Sequence, residues 1–230
     1  LGIPSGASQS ERTDYLMIKS QFALSYNDVA RTANWVSWEV VDSDLGSVAR
    51  TNDFRHDSML PADFHVVTVA DYAGSGFDRG HLCPSADRTR TRADNSATFV
   101  FTNIIPQDRA GNRGPWANFE NETRRYVRAG KAVHVVAGVV NAGALGTIGS
   151  GVFVPESVFK VAVVLERGQT AADVTTTTTV IALLLPNRRG SVGERDDWAT
   201  YRVPVRTIEA LTRMDFLADV PKRVQDVIER

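Results

Sequence analysis

The residues of this chain best suited to chemistry lie in one short stretch, Phe77-Asp78-Arg79-Gly80-His81-Leu82-Cys83-Pro84, built around a histidine. A histidine alone is more often a half-buried structural residue than a catalyst. Here Arg79 sets a permanent cation two residues away, Asp78 adds a carboxylate, and Gly80 lets the backbone turn or approach a ligand closely. Downstream, Thr102-Asn103-Ile104-Ile105-Pro106-Gln107 adds an amide, and Asn112, Trp116, Glu120 and Arg124 follow at every fourth residue. A proton acceptor, arginines for an anionic group and oxygen donors for a hard cation are what metal-assisted phosphodiester cleavage requires.

Other chemistries fit these residues less well. Cys83 lies two positions after His81, but that spacing alone does not build a nucleophile-base pair, and a packed thiol is the expectation. Four scattered histidines and one cysteine show no zinc-ligand spacing. Glycines 74, 76 and 80 are spaced one residue too long for a dinucleotide loop, and no long helical pattern follows them.

The elements that must position these groups can be read from pattern. Short strands are expected at 15–18 and 22–26, and a half-buried strand at 35–40. The tryptophans at 35 and 38 could both face one core only across a twist or bulge; stacking on bases is the other use for them, and core is the expectation. Residues 50–57 are too polar for a buried element and read as an exposed loop, with His56 at the surface. Strands are expected at 64–69 and 97–102, the second delivering Asn103, with a charged connection and a short helix at 90–95 between them. A helix is expected from Asn112 to about Ala129, stopped at Gly130, with Pro115 tolerated in its first turn. On a regular helix Asn112 and Glu120 would stand roughly 12 Å apart, too far to clamp one bare ion, and Glu120 with Arg124 could be no more than an i, i+4 pair. Valine-rich runs at 131–140, 158–165 and 175–185 read as central sheet, with His134 a core or edge histidine among them. Residues 141–151 read as a loop, and 207–211 and 221–229 as short covering helices.

Composition sets the frame. At 230 residues with 43% hydrophobic and 23% charged side chains, the chain reads as an ordinary globular protein, and no apolar run is long enough for a helical membrane span. One cysteine excludes an intrachain disulfide. The chain opens at Leu1 without a basic and apolar leader, so the expectation is a cytosolic protein or one whose leader has been removed. Net charge is −1, yet positive charge is concentrated: residues 79–128 carry nine arginines against five carboxylates, whereas residues 1–78 carry five cations against eleven carboxylates. Arginine favours bidentate phosphate contacts, although Arg88, Arg90 and Arg92 would serve equally as solvated surface.

The ordered set DRGH at 78–81, TNxxPQ at 102–107 and NxxxWxxxExxxR at 112–124 resembles the non-specific DNA/RNA endonucleases of the ββα-metal (His-Me finger) superfamily, in particular the secreted bacterial sugar-non-specific nucleases. The likeness runs from Pro4-Ser5-Gly6-Ala7 through Tyr26-Asn27 and Asn34-Trp35-Val36 to Asp215-Phe216-Leu217, nearly the full length. The resemblance implies an α+β fold: a mixed or antiparallel central sheet flanked by helices, with a ββα-metal finger carrying the site, and residues 1–230 as a single endonuclease domain. It implies metal-dependent hydrolysis of DNA and RNA, single- or double-stranded and bound through phosphates, by a secreted, extracellular or periplasmic protein. His81 would be the general base, Asn112 the direct ligand of Mg²⁺ with Mn²⁺ as substitute, and Glu120 a ligand through water. Arg50, ahead of Phe54 and Asp57, would grip the phosphate together with Arg79 and Arg124, with Arg55 as a competitor for the Arg50 role. Asp78 and Asn103 would support the site. A free imidazole as base would make activity rise through about pH 6 to 7. The alternatives are a catalytically silent nucleic-acid-binding protein and a narrower toxin-type or mitochondrial-type nuclease with an inhibitor partner.

Overall fold

The computed structural model describes residues 1–141 and 144–230, so part of the loop expected at 141–151 lies outside the described residues. Its strands are β1 (Tyr15–Ile18), β2 (Ala23–Asn27), β3 (Thr32–Val40), β4 (Asp78–His81), β5 (Ile104–Gln107), β6 (Lys131–Val140), β7 (Thr147–Ile148), β8 (Val152–Phe153), β9 (Ser157–Glu166) and β10 (Thr179–Pro186). Its α-helices are α1 (Val69–Tyr72), α2 (Arg92–Ala97), α3 (Arg109–Gly111), α4 (Ala117–Arg128), α5 (Val205–Thr212) and α6 (Lys222–Ile228).

A six-stranded sheet in the order β1-β2-β3-β6-β9-β10 is antiparallel throughout, with β1 and β10 at its edges. Both faces are covered, which explains why valine occupies successive positions of β6 and β9 instead of alternating with polar residues. Along β6, Val133, Val135, Ala137 and Val139 pack on the side of α4 with Phe119, Leu82 and Ile105, while Val136 and Val140 pack on the other side with Ile208 of α5 and Phe216. The same arrangement resolves the two tryptophans. Trp35 and Trp38 pair in unbroken register with Gly138 and Val135 and go to opposite faces, so both are core and no bulge between them is needed. The register shift of this strand falls in its pairing with β2, where Ser25 pairs with Trp35 and Tyr26 with Ala33, leaving Asn34 as the extra residue.

Three local expectations give way. Residues 64–68 are not a strand: only Phe64 and Val67 are buried, and the Thr68 backbone N–H donates to Asp71 Oδ2 (2.8 Å), so a capping arrangement starts α1 at Val69. Residues 97–102 finish α2, make one isolated bridge from Val100 to Arg55 and enter a 3₁₀ turn at Phe101–Asn103, with a strand beginning only after Asn103, in β5. The helix expected from Asn112 is interrupted: Asn112–Trp116 wind as a wider π-type turn in which Gly114 leaves helical dihedrals (φ −98°, ψ −111°), and regular α-helix runs only over α4. A Cβ at Gly114 would collide with the Glu194 carbonyl, so the close approach of another loop at this bend demands glycine.

Candidate active site

β4 and β5 form a two-stranded hairpin in the register Asp78–Gln107, Arg79–Pro106, Gly80–Ile105 and His81–Ile104, and with α4 they make the ββα unit that the resemblance implied. Gly80 is required by packing, because a Cβ there would strike the Gln107 side chain. Trp116 Nε1 donates to the His81 carbonyl (3.2 Å) and ties the start of the helix to the hairpin. Asn103 holds the segment after the histidine: its Oδ1 accepts from the Cys83 N–H (2.9 Å) and its Nδ2 donates to the carbonyls of Cys83 (2.8 Å) and Thr98 (2.9 Å). Cys83 itself is buried with its thiol pushed up by burial, which suits a packed side chain and not a nucleophile.

His81 is 7% exposed and lies edge-on to Phe99 at 4.8 Å and tilted against Phe54 at 5.6 Å. Its Nε2 is buried without a hydrogen-bond partner. Burial first, and then the cations of Arg50, Lys160 and Arg79, push the imidazole down to about 3. The ring is therefore neutral at pH 6, and the expected rise in activity through pH 6 to 7 does not follow from this site.

A cavity of about 360 Å³ opens beside this ring, lined by Arg50, Arg79, His81, Asn112, Arg113 and Glu120 together with Pro84, Ser85, Ala86 and Ala117. A second cavity of about 480 Å³ shares Arg50, Arg79, Asn112 and Arg113 and adds Asp78 and Arg109. Arg50 is held by Nη1 on Ser85 Oγ (2.8 Å) and Nε on Asn52 Oδ1 (2.7 Å), with its guanidinium 4.7 Å over Phe99. Arg79 lies 4.2 Å over Phe54, and its side chain makes no hydrogen bond to protein among the described residues. The interrupted helix still brings Asn112 and Glu120 to one cavity.

Asn112 Nδ2 donates to Asp78 Oδ2 (3.0 Å), so its amide oxygen is the end left for a ligand. Asp78 is gripped on both oxygens by Arg113 (2.8 and 2.9 Å); burial would raise its pKa, but the hydrogen bonds from Arg113 and Asn112 hold it below its ordinary value. Glu120 Oε1 accepts from Lys160 Nζ (2.5 Å), and that ammonium sits 4.0 Å over the Trp116 ring. A hard divalent ion fits these donors: an anchored amide oxygen and a half-buried carboxylate with a second oxygen uncommitted.

Arg124 is not brought to the cavity. It is buried, with Nη1 on Asp87 Oδ1 (2.6 Å) and Nη2 on Asn121 Oδ1 (2.8 Å), and Trp38 Nε1 occupies the other oxygen of Asp87 (2.9 Å). Nor does it pair with Glu120, whose partner is Lys160. Arg55 points elsewhere too, onto Asp53 and the Ser96 carbonyl, whereas Arg50 lines the cavity. Arg88 is buried against the carbonyls of Gln21 and Glu39. Sequence reasoning missed Lys160, Asp87 and the Arg109–Arg113 cover on Asp78. For Lys160 a signal existed, since a single lysine inside the apolar run 158–165 has to find a buried partner.

A β-hairpin and helix closed around one histidine, an anchored asparagine and free arginines define a nuclease of the ββα-metal type. The family model described as DNA/RNA non-specific endonuclease matches residues 5–223, and the chain belongs to that family. It is 46% identical over 233 residues to a nuclease of Nostoc sp. (strain PCC 7120), covering 100% of this chain and 83% of that protein. It is 29% identical over 204 residues to the mitochondrial nuclease 1 of Schizosaccharomyces pombe, covering 83% of this chain and 61% of that one, and 33% identical over 146 residues to the mitochondrial endonuclease G of Bos taurus, covering 60% and 48%. The fold matches the crystal structure of an EndoG/EndoGI complex with a TM-score of 0.79 at 22% identity, covering 91% of this chain and 88% of that one. The chain is thus a non-specific DNA/RNA endonuclease and a hydrolase of phosphodiester bonds.

Proposed function

We propose that residues 1–230 act as a single endonuclease unit that uses His81 as general base, requires Mg²⁺ with Mn²⁺ as substitute, and cuts both DNA and RNA. The observation that carries this reading is that His81 lines a cavity that also presents Arg50, Arg79, Asn112 and Glu120. Kept neutral, the imidazole can accept a proton from an attacking water, and its low basicity puts the contribution toward the lower end of the about 10²- to 10⁴-fold typical of such bases. Asn112 would hold the ion directly and Glu120 one of its waters, with Asp78 fixing the amide and Lys160 the carboxylate. When bound, the ion supplies positive charge for the phosphate and the departing 3′ oxygen. Arg50 and Arg79 neutralise the phosphate from the cavity wall, and Arg124 contributes through the fold, by holding Asp87.

Substrate contact through phosphates makes binding weaken with salt and show little base preference, on single and double strands alike. Plasmid DNA and total RNA incubated with Mg²⁺ or with EDTA, for the wild type and Asn112→Ala, test the metal assignment. Cleavage of both substrates that needs Mg²⁺ and Asn112 supports it; full activity of Asn112→Ala refutes it. Any metal-dependent turnover also removes the reading of a silent nucleic-acid-binding protein.

The arginine-lined cavity would equally suit an acidic inhibitor protein, and the solved EndoG was captured in a complex described as its inhibition. For location, the resemblance to secreted bacterial nucleases supports action outside the cytoplasm, while several relatives carry mitochondrial names. Fractionation of source cells would decide this, and a purely cytoplasmic pool would contradict it.

A further inference from the structure

On the side of the sheet away from His81, three carboxylates from separate segments converge: Glu209 on α5, Asp215 in the turn after it, and Glu229 just past α6. One oxygen from each lies within 4.8 Å of the others. Glu229 is 1% exposed, and neither of its side-chain oxygens has a hydrogen-bond partner. A buried carboxylate with both oxygens orphaned is costly unless a cation satisfies it. The neighbouring cations fall short of doing so: Arg206 Nε stands 3.6 Å from Glu229 Oε2 and is committed to Asp226 through Nη2, while Lys222 donates to Gln225. Glu209 Oε1 already accepts the Phe216 N–H (3.2 Å), which fixes that carboxylate in place.

We propose that Glu209, Asp215 and Glu229 form a second divalent-cation site, of the Ca²⁺ class, that fastens the C-terminal helix α6 to α5. Three carboxylate oxygens within 4.8 Å of one another can be gathered by one Ca²⁺ ion at about 2.3–2.6 Å from each, and the variable ligand number of Ca²⁺ suits a site that water completes, where Mg²⁺ demands a near-ideal octahedron. Three carboxylates from three segments give the charge for a doubly positive ion, and exposed Asp215 leaves a side open to water ligands. Burial, followed for Glu229 by the charge of Glu209, raises the carboxyls of Glu209 and Glu229 above their ordinary values, as expected of a cluster short of positive charge. The site is separate from the cavity at His81 and shares no residue with it.

Thermal unfolding in EDTA and in millimolar Ca²⁺ tests this, with Asn112→Ala as background so that Ca²⁺ on the active-site ligand does not contribute. The expected result is a rise in Tm of several degrees on adding Ca²⁺ to Asn112→Ala, with one ion bound by calorimetry. Adding Asp215→Asn or Glu229→Gln abolishes both, while each of these substitutions alone keeps the wild-type rate of DNA cleavage in Mg²⁺. Asp215 is exposed, so Asp215→Asn remains decisive even where Glu229→Gln folds poorly. Absence of a Ca²⁺ shift in Asn112→Ala, or a shift that survives Asp215→Asn, would overturn the proposal.

Discussion

Arg50 and Arg79 on one side, and Arg88 and Arg124 on the other, are the same residue type, yet the fold partners them in opposite ways. The first two are exposed, ride over Phe99 and Phe54, and keep donors facing a cavity. The second two are buried with their donors spent on Asp87, Asn121 and the carbonyls of Gln21, Glu39 and Asp87. A satisfied guanidinium is part of the frame; one stacked on a ring with free N–H groups is available to phosphate. The difference lies in the partners, and it can be broken by mutation.

The largest effect on the fold is expected from Arg124→Met. It leaves Asp87 buried with its charge unmatched, and denaturant unfolding should show a loss of about 3–5 kcal/mol. If stability is unchanged and only cleavage falls, Arg124 belongs with the phosphate contacts after all. Lys160→Met should cost less, about 1–3 kcal/mol, because Glu120 borders the cavity and can turn to water. It should also lower kcat, since Glu120 loses the ammonium that fixes it; unchanged kcat would make Lys160 purely structural. Arg79→Ala should do the reverse of Arg124→Met: stability within about 1 kcal/mol of wild type, from the lost contact with Phe54, and cleavage reduced about 10²-fold.

The smallest expected effect is that of pH between 6 and 8. Because the folded imidazole lies near 3 and the ordinary value is 6.5, no proton leaves His81 in that interval, and the rate should be flat with respect to this group. The sign for stability follows from the same shift. Below about pH 6.5 the unfolded chain binds a proton that the native His81 refuses, so this residue's contribution is lost as pH falls toward 3. A rate profile rising with a midpoint at pH 6 to 7 would mean that the ring is solvated and free in the working enzyme.

The site residues are legible in the sequence as the ordered set DRGH, Asn103, Asn112 and Glu120, but their elements are less so: the hairpin of β4 and β5 is implied only by the resemblance, and Asn112 stands in a π-type turn before the regular helix. The central sheet is legible, since long β-branched runs allow little else. What pattern does not supply is partner choice. Glu120 could have paired with Arg124 one turn away, and only the packing of β9 against the helix puts Lys160 there instead. The bend at Gly114 is hidden for the same reason: its cause, the Glu194 carbonyl, is eighty residues distant. Residues 64–68 mislead because apolar content suggests a strand while a Thr68–Asp71 cap decides the outcome.

The proposed chemistry stands or falls on a neutral, buried His81 as the base. Plasmid cleavage in Mg²⁺ at pH 7 by His81→Ala, beside the wild type and with circular dichroism and DNA affinity recorded on both, tests it most directly. The expected result is a folded variant that binds DNA as the wild type does and cuts at least about 10²-fold more slowly. A folded His81→Ala that cleaves at the wild-type rate would contradict it.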